Sequence, residues 1–374
     1  INFAKIICMK TLKLRIRDKH TAKLNRLSGS VNFVWNYVND LSYKHLQKTG
    51  KFLSAYDLNE YTKGSGELLG LHSQTIQAIN ETHAKARKQF KKAKLSWRTN
   101  NPTSKRKSLG WLPFKQSAIK HIATHQTGKK GLKSTLQLSL AKGQKLIIDL
   151  WDSYNLSLYQ INTLEVVQDS RNRWYACITV KEYPKTTCGT GSVGIDLGLK
   201  DLATCSDGVK LKAPQIYRQY EQTLGIAQRA RNKKRVKAIH AKIKNIRQNM
   251  LHQFSHKLVN EHAAIFIGNV NAKALARTKL AKSVLDASWT TLRTMLKYKC
   301  ENAGVWYEEV NEAYTTQTCS CCGSRCSSPK GRAGLGIREW QCMECGTLHD
   351  RDVNSALNIL ALGHERLAVG IPVL

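Results

Sequence analysis

Four cysteines in two C-x-x-C pairs have the residue types and the spacing of a metal site. The pairs are Cys319/Cys322 and Cys342/Cys345, with nineteen residues between them. Pairs at this separation can place four thiolates in a tetrahedron around one zinc ion, so we predict a zinc ribbon. Cys321 and Cys326 are competing ligands, and a thiol-rich loop without metal is the ordinary alternative.

Carboxylates near the ribbon could bind a second kind of metal. Asp350 and Asp352 lie in HDRDVNSALNIL, at the start of a run with helical apolar spacing. Asp196 lies in the apolar, glycine-flanked segment VGIDLG, where an unpaired carboxylate would be costly. Asp196 and Asp352 are our candidate ligands for catalytic Mg²⁺. The ordinary alternatives are a paired structural Asp at 196 and a helix N-cap at 352.

The elements around these residues alternate between strands and helices. Apolar patterns predict strands at 193–198, 264–270 and 305–310, and helices at about 220–259, 283–299 and 353–362. This order is that of a ribonuclease H-like α/β domain, with the ribbon inserted before the last helix. Such domains cut phosphodiesters with two Mg²⁺ ions held roughly 3.5–4 Å apart between carboxylates.

The first half of the chain is predicted to combine strands with helices. Apolar and basic residues alternate at 12–17, and further alternation runs through 137–180, so these segments predict a small β-barrel. Helical spacing at 24–38 and 71–95 predicts helices between them, the second of which is rich in Lys and Arg. Basic residues interleaved with aromatics suit nucleic-acid binding, and a solvated helix face with core aromatics is the alternative.

The net charge indicates a polyanionic partner. The 374 residues include 60 Lys and Arg against 26 Asp and Glu, a formal charge of +34. Such an imbalance destabilises a folded chain by self-repulsion, and each phosphate of a bound nucleic acid would release counterions. We therefore predict a long nucleic acid as partner, with a merely solvated basic surface as the alternative.

Cysteine usage and hydropathy bear on the location of the protein. Six of the eleven cysteines cluster between Cys319 and Cys345 and the rest are scattered, which is typical of a reducing cytosol rather than of a disulfide framework. Neither a membrane span nor a signal peptide is visible, so we expect a cytoplasmic protein without membrane contact. The sequence begins with Ile1, and Met9 is a candidate start.

Four motifs together resemble TnpB, the transposon-encoded, RNA-guided nuclease family related to the compact type V CRISPR effectors. They are GIDLGLKDLAT, TTQTCSCCG, WQCMECG and HDRDVNSALNIL. The match is specific over about residues 190–362 and looser before them. The resemblance implies a prokaryotic, Mg-dependent endonuclease that uses a guide RNA from the transposon end. It also implies cleavage of double-stranded DNA beside a short transposon-adjacent motif, by a monomer on its RNA or, alternatively, a dimer.

The resemblance further implies a domain plan and a set of site residues. The plan is a wedge-like β-barrel (1–20 and 130–190), a helical recognition lobe (21–129), a RuvC-like nuclease domain (191–317 and 347–374) and a zinc-ribbon, target-nucleic-acid-binding insertion (318–346). Matched residue by residue, Asp196 corresponds to the first RuvC acid and Asp352 to the third. The four paired cysteines correspond to the zinc ligands.

The second acid departs from the family pattern. The family's strand carries a catalytic Glu, whereas this chain has Gly268 at that position, in IFIGNV. Glu312 is our candidate replacement, because its strand lies next to the Gly268 strand in a ribonuclease H-like sheet and both ends face one cleft. Glu308 and Glu309, inside the strand, are weaker candidates. The ordinary alternative for Glu312 is an exposed turn residue.

Three functions remain open at this point. The first is an RNA-guided DNA endonuclease with a rearranged acidic site, which the retention of Asp196 and Asp352 favours. The second is an RNA-guided DNA-binding repressor that has lost cleavage together with the second acid. The third is a zinc-ribbon DNA-binding accessory protein of a transposase, without a guide RNA.

Overall fold

The chain divides near residue 182 into two units in the computed structural model. One unit comprises residues 7–182, and the other comprises residues 183–374 together with 1–6. The structure describes residues 8–101, 104, 107–127, 131–182, 189–213, 215–270, 288–325 and 336–369. None of the helices in these ranges has the length and apolar character needed to cross a membrane.

An antiparallel sheet of seven strands is the framework of the first unit. Its strands are β1 (Cys8–Ile16), β2 (Trp111–Lys115), β3 (Ile119–Gln126), β4 (Leu132–Ser139), β5 (Lys145–Asp152), β6 (Gln160–Gln168) and β7 (Trp174–Glu182). They hydrogen bond in the order β2-β6-β7-β1-β5-β4-β3. Leu12, Leu14 and Ile16 of β1 are buried, as the alternation at 12–17 predicts.

Residues 111–126 belong to this sheet, as β2 and β3, although the domain plan places them in the helical lobe. Residues 112–114 of β2 are all buried, so this strand lacks the alternation by which the others are recognised. Within the described ranges, no ladder pairs β2 with β3, which are the two edge strands. Closure of the sheet into a barrel therefore stays a prediction.

Four helices share the hydrophobic core of the first unit. They are α1 (Thr21–Thr49), α2 (Ala55–Thr62), α3 (Gly66–Leu69) and α4 (Ser73–Phe90). The predicted apolar stripe of α1 is buried, from Leu24 to Val38. The second predicted helix, at 71–95, ends earlier than expected, because Lys91 adopts the left-handed conformation that terminates α4.

A sheet of five strands forms the centre of the second unit. Its strands are β8 (Ser192–Asp196), β9 (Asp201–Cys205), β10 (Lys210–Lys212), β11 (Ala264–Gly268) and β12 (Trp306–Val310), in the order β10-β9-β8-β11-β12. Because β11 runs parallel to both β8 and β12, the carboxyl ends of these three strands reach the same edge of the sheet. Asp196 and Gly268 are the last residues of β8 and β11, so two predicted site positions lie at this edge.

Helices cover both faces of this sheet. They are α5 (Ile216–Arg229), α6 (Lys233–Glu261), α7 (Trp289–Ala303) and α8 (Arg351–Val369). Ile265 and Ile267 share a core with α6 and α7, whereas Phe266, on the opposite face, packs with α8. Gly194 allows α8 to approach β8, because a Cβ at this position would lie 2.1 Å from the carbonyl oxygen of Ala356.

The prediction of a single basic helix at about 220–259 is wrong, because the chain forms two helices there. α5 ends at Arg229 and α6 begins at Lys233. Between them, Arg231 adopts a left-handed conformation with φ of 50°. Asn232 then caps α6 by accepting a hydrogen bond of 3.0 Å from the backbone N–H of Arg235.

A small antiparallel pair, β13 (Glu339–Gln341) and β14 (Leu348–Asp350), lies between β12 and α8 in the chain. Its position matches the predicted insertion of a ribbon between the last strand and the last helix. α8 follows β14 directly, so the ribbon and the helix that carries Asp352 are joined without a linker.

Candidate active site and metal centre

Asp196 is a buried carboxylate at the carboxyl end of β8. The hydroxyl of Ser355, on α8, donates a hydrogen bond of 2.9 Å to its Oδ1. Burial raises the pKa of Asp196 to about 6 and the nearby charge of Asp352 adds to the rise, although the hydrogen bond from Ser355 opposes it. The structure thus gives Asp196 one hydrogen-bond partner, so the alternative of a paired structural Asp stays open.

Gly268 provides the space that Glu312 fills. A Cβ added to Gly268 would lie 2.6 Å from Oε2 of Glu312 and 3.4 Å from its Cβ. The carboxylate of Glu312 therefore occupies the volume in which any side chain at position 268 would begin. The structure brings Glu312 from the end of β12 to the end of the neighbouring strand, β11, as the sequence predicts. Glu312 is not an exposed turn residue, because its Oε2 is buried.

The environment of Glu312 is unfavourable for a negative charge. Within the described part of the chain, its buried Oε2 has no hydrogen-bond partner. Burial raises the pKa of Glu312 to about 7, the negative charge of Asp196 adds to the rise, and Arg293 opposes it. The negative charge of Asp196 thus disfavours ionisation of Glu312, and Arg293 only partly offsets this effect.

The two weaker candidates, Glu308 and Glu309, already have cationic partners. Glu309 accepts hydrogen bonds from Arg293 at 3.1 Å and from the Tyr307 hydroxyl at 3.0 Å. Glu308 forms an ion pair of 3.4 Å with Arg366. The buried Oε2 of Glu312, by contrast, has no hydrogen-bond partner among the described residues.

Asp350, and not Asp352, caps helix α8. Oδ1 of Asp350 accepts hydrogen bonds of 3.0 Å from the backbone N–H groups of Asp352 and Val353. The N-cap interpretation of Asp352 is therefore wrong, and its side chain is available for another role. In the structure it accepts two hydrogen bonds of 3.1 Å, one on each oxygen, from Nη1 of Arg338.

Side chains of α8 hold the segment that connects Glu312 to the cysteines. The amides of Asn354 and Asn358 donate to the carbonyl oxygen of Thr318 at 2.8 and 2.7 Å. The hydroxyl groups of Thr315 and Ser355 lie 2.9 Å apart, and Ser355 also reaches Asp196. Helix α8 thus positions the carboxylate of Asp196 at the end of β8 and the loop after β12, and it also carries Asp352.

The four predicted cysteine ligands converge. Cys319, Cys322, Cys342 and Cys345 have Sγ atoms that all lie within 4.8 Å of one another. Sγ of Cys319 is 3.7 Å from that of Cys345, and Sγ of Cys322 is 3.6 Å from that of Cys342. Four thiolates around zinc at about 2.3 Å would be separated by about 3.8 Å, so the cluster has the dimensions of such a site. Cys321 is exposed and is not part of the set, and Cys326 lies outside the described residues.

The three acids are less tightly grouped than the cysteines. Among the described residues, the cysteine set alone brings three or more ligand atoms within 4.8 Å of one another. Asp196 and Glu312 are electrostatically coupled, as are Asp196 and Asp352. The oxygens of the three carboxylates therefore do not all lie within 4.8 Å of one another.

Four residues at this site escaped prediction from the sequence. They are Arg293, Ser355, Arg338 and His349. Nε2 of His349 lies 3.0 Å from Sγ of Cys319, and its ring packs against Trp340 with the ring centroids 4.8 Å apart. Ser355 and His349 lie within the HDRDVNSALNIL motif, which was a usable signal, whereas nothing in the sequence marks the two arginines.

Two family models match the chain. The Cas12f1-like TNB domain matches residues 289–359, and a probable transposase model of the IS605 OrfB type matches residues 175–279. The first match includes Glu312, the four cysteines and Asp352. The second includes Asp196 and Gly268.

Relatives and solved structures agree with these matches. A Streptomyces pristinaespiralis protein named as an RNA-guided DNA endonuclease is 30% identical over 94% of this chain and 88% of its own length. The Escherichia coli K12 protein InsQ, with the same activity in its name, is 29% identical over 54% of this chain and 57% of its own length. A TnpB-like protein of Acanthamoeba polyphaga mimivirus is 30% identical over 54% of this chain and 43% of its own length.

The fold is similar to that of a Cas12f1 effector solved by cryo-EM with its guide RNA and target DNA. The TM-score is 0.62 at 13% identity, covering 94% of this chain and 98% of the effector. Since the identity to the Streptomyces relative holds over nearly the whole length of both proteins, the chain belongs to the TnpB family of transposon-encoded proteins.

Proposed function

We propose that the protein is an RNA-guided DNA endonuclease whose active site consists of Asp196, Glu312 and Asp352. The observation that carries the proposal is the position of Glu312, whose Oε2 fills the space above Gly268. The family's second acid is missing from the chain, but a carboxylate reaches the same place from the neighbouring strand. The names of the relatives support the general activity.

The donor set fits magnesium. All candidate ligands are carboxylate oxygens, which Mg²⁺ prefers, and the buried Oε2 of Glu312 has no other partner among the described residues. When bound, Mg²⁺ ions would activate water and offset the charge that develops on the scissile phosphate.

The protein's own residues have separate tasks in this proposal. Burial raises the pKa of both Asp196 and Glu312, and the negative charge of Asp196 adds to the rise at Glu312, so a cation at the edge of the sheet would stabilise both carboxylates. Ser355 orients Asp196 by donating to its Oδ1. Asp352 is the third ligand, at the first turn of α8.

The first unit would bind the guide RNA and the target duplex. On the outward face of its sheet, Lys13 and Arg15 stack on Tyr175 at 4.6 and 5.4 Å, and Arg17 stacks on Trp151 at 5.3 Å. Cationic side chains bind phosphates and aromatic rings stack on bases, so their combination suits the binding of single-stranded nucleic acid. Guide pairing would select the target sequence, beside a short motif that the protein reads in duplex DNA.

The cysteine cluster would hold a structural zinc ion in a ribbon that contacts the target nucleic acid. The domain plan also belongs to this proposal, with a wedge-type barrel and a helical recognition lobe before a RuvC-like nuclease domain, and a monomer on its RNA. Because β2 and β3 lie at 111–126, the barrel would extend into the segment first assigned to the lobe.

The proposal is tested with the protein purified together with its native RNA. Motif-bearing target DNA is offered with Mg²⁺, and cleavage and binding are measured on the same preparation. We expect cleavage by the natural protein and by Glu309→Gln, and none by Glu312→Gln. Intact guided binding without cleavage in any buffer would instead identify a repressor, and specific DNA binding without RNA would identify a guide-free accessory protein.

A further inference from the structure

Arg338, at the base of the ribbon, holds both oxygens of the Asp352 carboxylate. Its Nη1 donates to Oδ1 and to Oδ2, each at 3.1 Å. The side chain of Asp352 is mostly buried, at 16% exposure, whereas that of Arg338 is 42% exposed. The guanidinium therefore covers the carboxylate from the solvent side.

The backbone fixes Arg338 in this place. Its carbonyl oxygen accepts a hydrogen bond of 2.7 Å from the N–H of Arg351, the residue next to Asp352. The adjacent Glu339 pairs with Asp350 in the ribbon's two-stranded ladder. The position of the guanidinium thus depends on the seating of the ribbon against the start of α8.

We propose that Arg338 is a positioning residue that orients Asp352 and must release it before a divalent cation can bind there. The inference rests on the proposed function, because it takes Asp352 to be a metal ligand. It makes the seating of the ribbon a control on metal binding.

The physical reason is competition for the same oxygens. A guanidinium nitrogen that donates to both oxygens of a carboxylate occupies one lone-pair direction on each oxygen, and its positive charge repels a metal ion that approaches the carboxylate. Arginine also pairs strongly with phosphate. A nucleic-acid phosphate entering the cleft would therefore draw Arg338 away and leave Asp352 free for the cation.

The neighbouring contacts indicate that Asp352 can release this partner without unfolding the helix. Asp350 provides the N-cap of α8 and is itself held by Lys210 at 2.6 Å. Loss of the Arg338 pair therefore leaves the cap in place. Because the Arg338 side chain is 42% exposed, the pair is partly screened by solvent and contributes modestly to folding, so Arg338 can exchange one anion for another.

The test measures metal affinity and not cleavage. Full-length, zinc-loaded protein without nucleic acid is titrated with Mn²⁺, and free Mn²⁺ is followed by its paramagnetic resonance signal. We expect Arg338→Gln to bind Mn²⁺ about fivefold more tightly than the natural protein, since an ion pair at this exposure is weak. Arg338→Lys keeps a cation at the site and should bind with close to natural affinity.

Arg366→Gln is the matched control, because it removes the same charge from an arginine that pairs with Glu308 on β12. Its Mn²⁺ affinity should stay within twofold of the natural value, roughly the effect of a distant charge in salt. A side chain that merely supports Asp352 would show the opposite sign, with Arg338→Gln binding Mn²⁺ more weakly. That result, or an unchanged affinity, would overturn the inference.

Asp196→Asn and Asp352→Asn separate this failure from failure of the proposed function. If either variant loses Mn²⁺ binding while Arg338→Gln shows no gain in Mn²⁺ affinity, the proposed metal site is supported and the proposed role of Arg338 is wrong. If both variants bind Mn²⁺ like the natural protein, the proposed metal site itself is wrong and this inference falls with it.

Discussion

A single methyl group at position 268 should slow DNA cleavage strongly while leaving the fold intact. The Cβ introduced by Gly268→Ala would lie 2.6 Å from Oε2 of Glu312, against an ordinary contact of 3.4 Å or more, so the carboxylate must retreat by about 0.8 Å. The clashing atom is the end of a flexible side chain, so the free energy of unfolding should change by less than about 1 kcal/mol. A displacement of this size at a metal-ligating carboxylate can lower the rate about 100-fold.

The assay is single-turnover cleavage of target DNA by the protein–RNA complex, with thermal unfolding measured on the same protein. Gly225→Ala is the matched control, because its added Cβ lies in van der Waals contact, at 3.4 Å, with Arg229 on the surface of α5. This control should cleave normally and gain up to about 1 kcal/mol from helix propensity. Normal cleavage by Gly268→Ala would refute the reasoning, because Glu312 would then not need its place over the glycine.

A compensating pair extends this test. In Gly268→Glu combined with Glu312→Ala, the carboxylate returns to β11 and the space that it requires is vacated. We expect this double variant to cleave faster than Gly268→Ala, although more slowly than the natural protein because the surrounding packing was not built for it. A double variant slower than Gly268→Ala would show that β11 cannot supply the second acid in this chain.

Three further outcomes are expected. The pKa of Glu312 in the folded protein, about 7, is raised above its ordinary value, so the stability of the metal-free protein should fall as the pH rises from about 4.5 through 7. Glu312→Gln should remove this contribution and raise the free energy of unfolding at higher pH by about 1–2 kcal/mol, after allowance for partial exposure. Glu309→Gln, the control, should not have this effect. A pH series of thermal melts decides this, and a pH slope as steep in Glu312→Gln as in the natural protein would count against it, since the raised pKa of Asp196 accounts for only part of the slope. Ser355→Ala removes the hydrogen bond that lowers the pKa of Asp196, so the acidic limb of the pH–rate profile should move upward by up to about one unit, and an unmoved limb would contradict the assigned role. Cys342→Ser should lose the bound zinc and melt the ribbon while Cys321→Ser keeps both, as metal analysis and Co²⁺ absorption spectra would report; equal zinc contents would argue against the ligand set.

The residues whose chemistry is unusual in their surroundings were predictable from the sequence. Asp196 is conspicuous in an apolar strand, and the cysteine pairs have a spacing that few other structures require. The position of Glu312 was predictable because the family's Glu is replaced by Gly268, which leaves room for a carboxylate from the neighbouring strand. The alternation of strands and helices at 193–362 followed from periodicity, except that two helices form where one was predicted at about 220–259.

The remainder depends on contacts that periodicity does not encode. The break between α5 and α6 falls at a left-handed Arg231, and neither glycine nor proline marks it. The bond from Arg338 to Asp352 depends on how the ribbon ladder meets the start of α8, a register that only the fold sets. β2 escaped notice because its middle residues are all buried and so do not alternate.

The packing of Glu312 over Gly268 also has an evolutionary consequence. A chain that regained a glutamate at position 268 while keeping Glu312 would force two carboxylates into one volume, and a chain that first lost Glu312 would lack the second acid altogether. Each single step back towards the family's usual arrangement therefore passes through an impaired protein. Reversal by single substitutions is therefore disfavoured, so descendants of this chain should inherit Gly268 and Glu312 together.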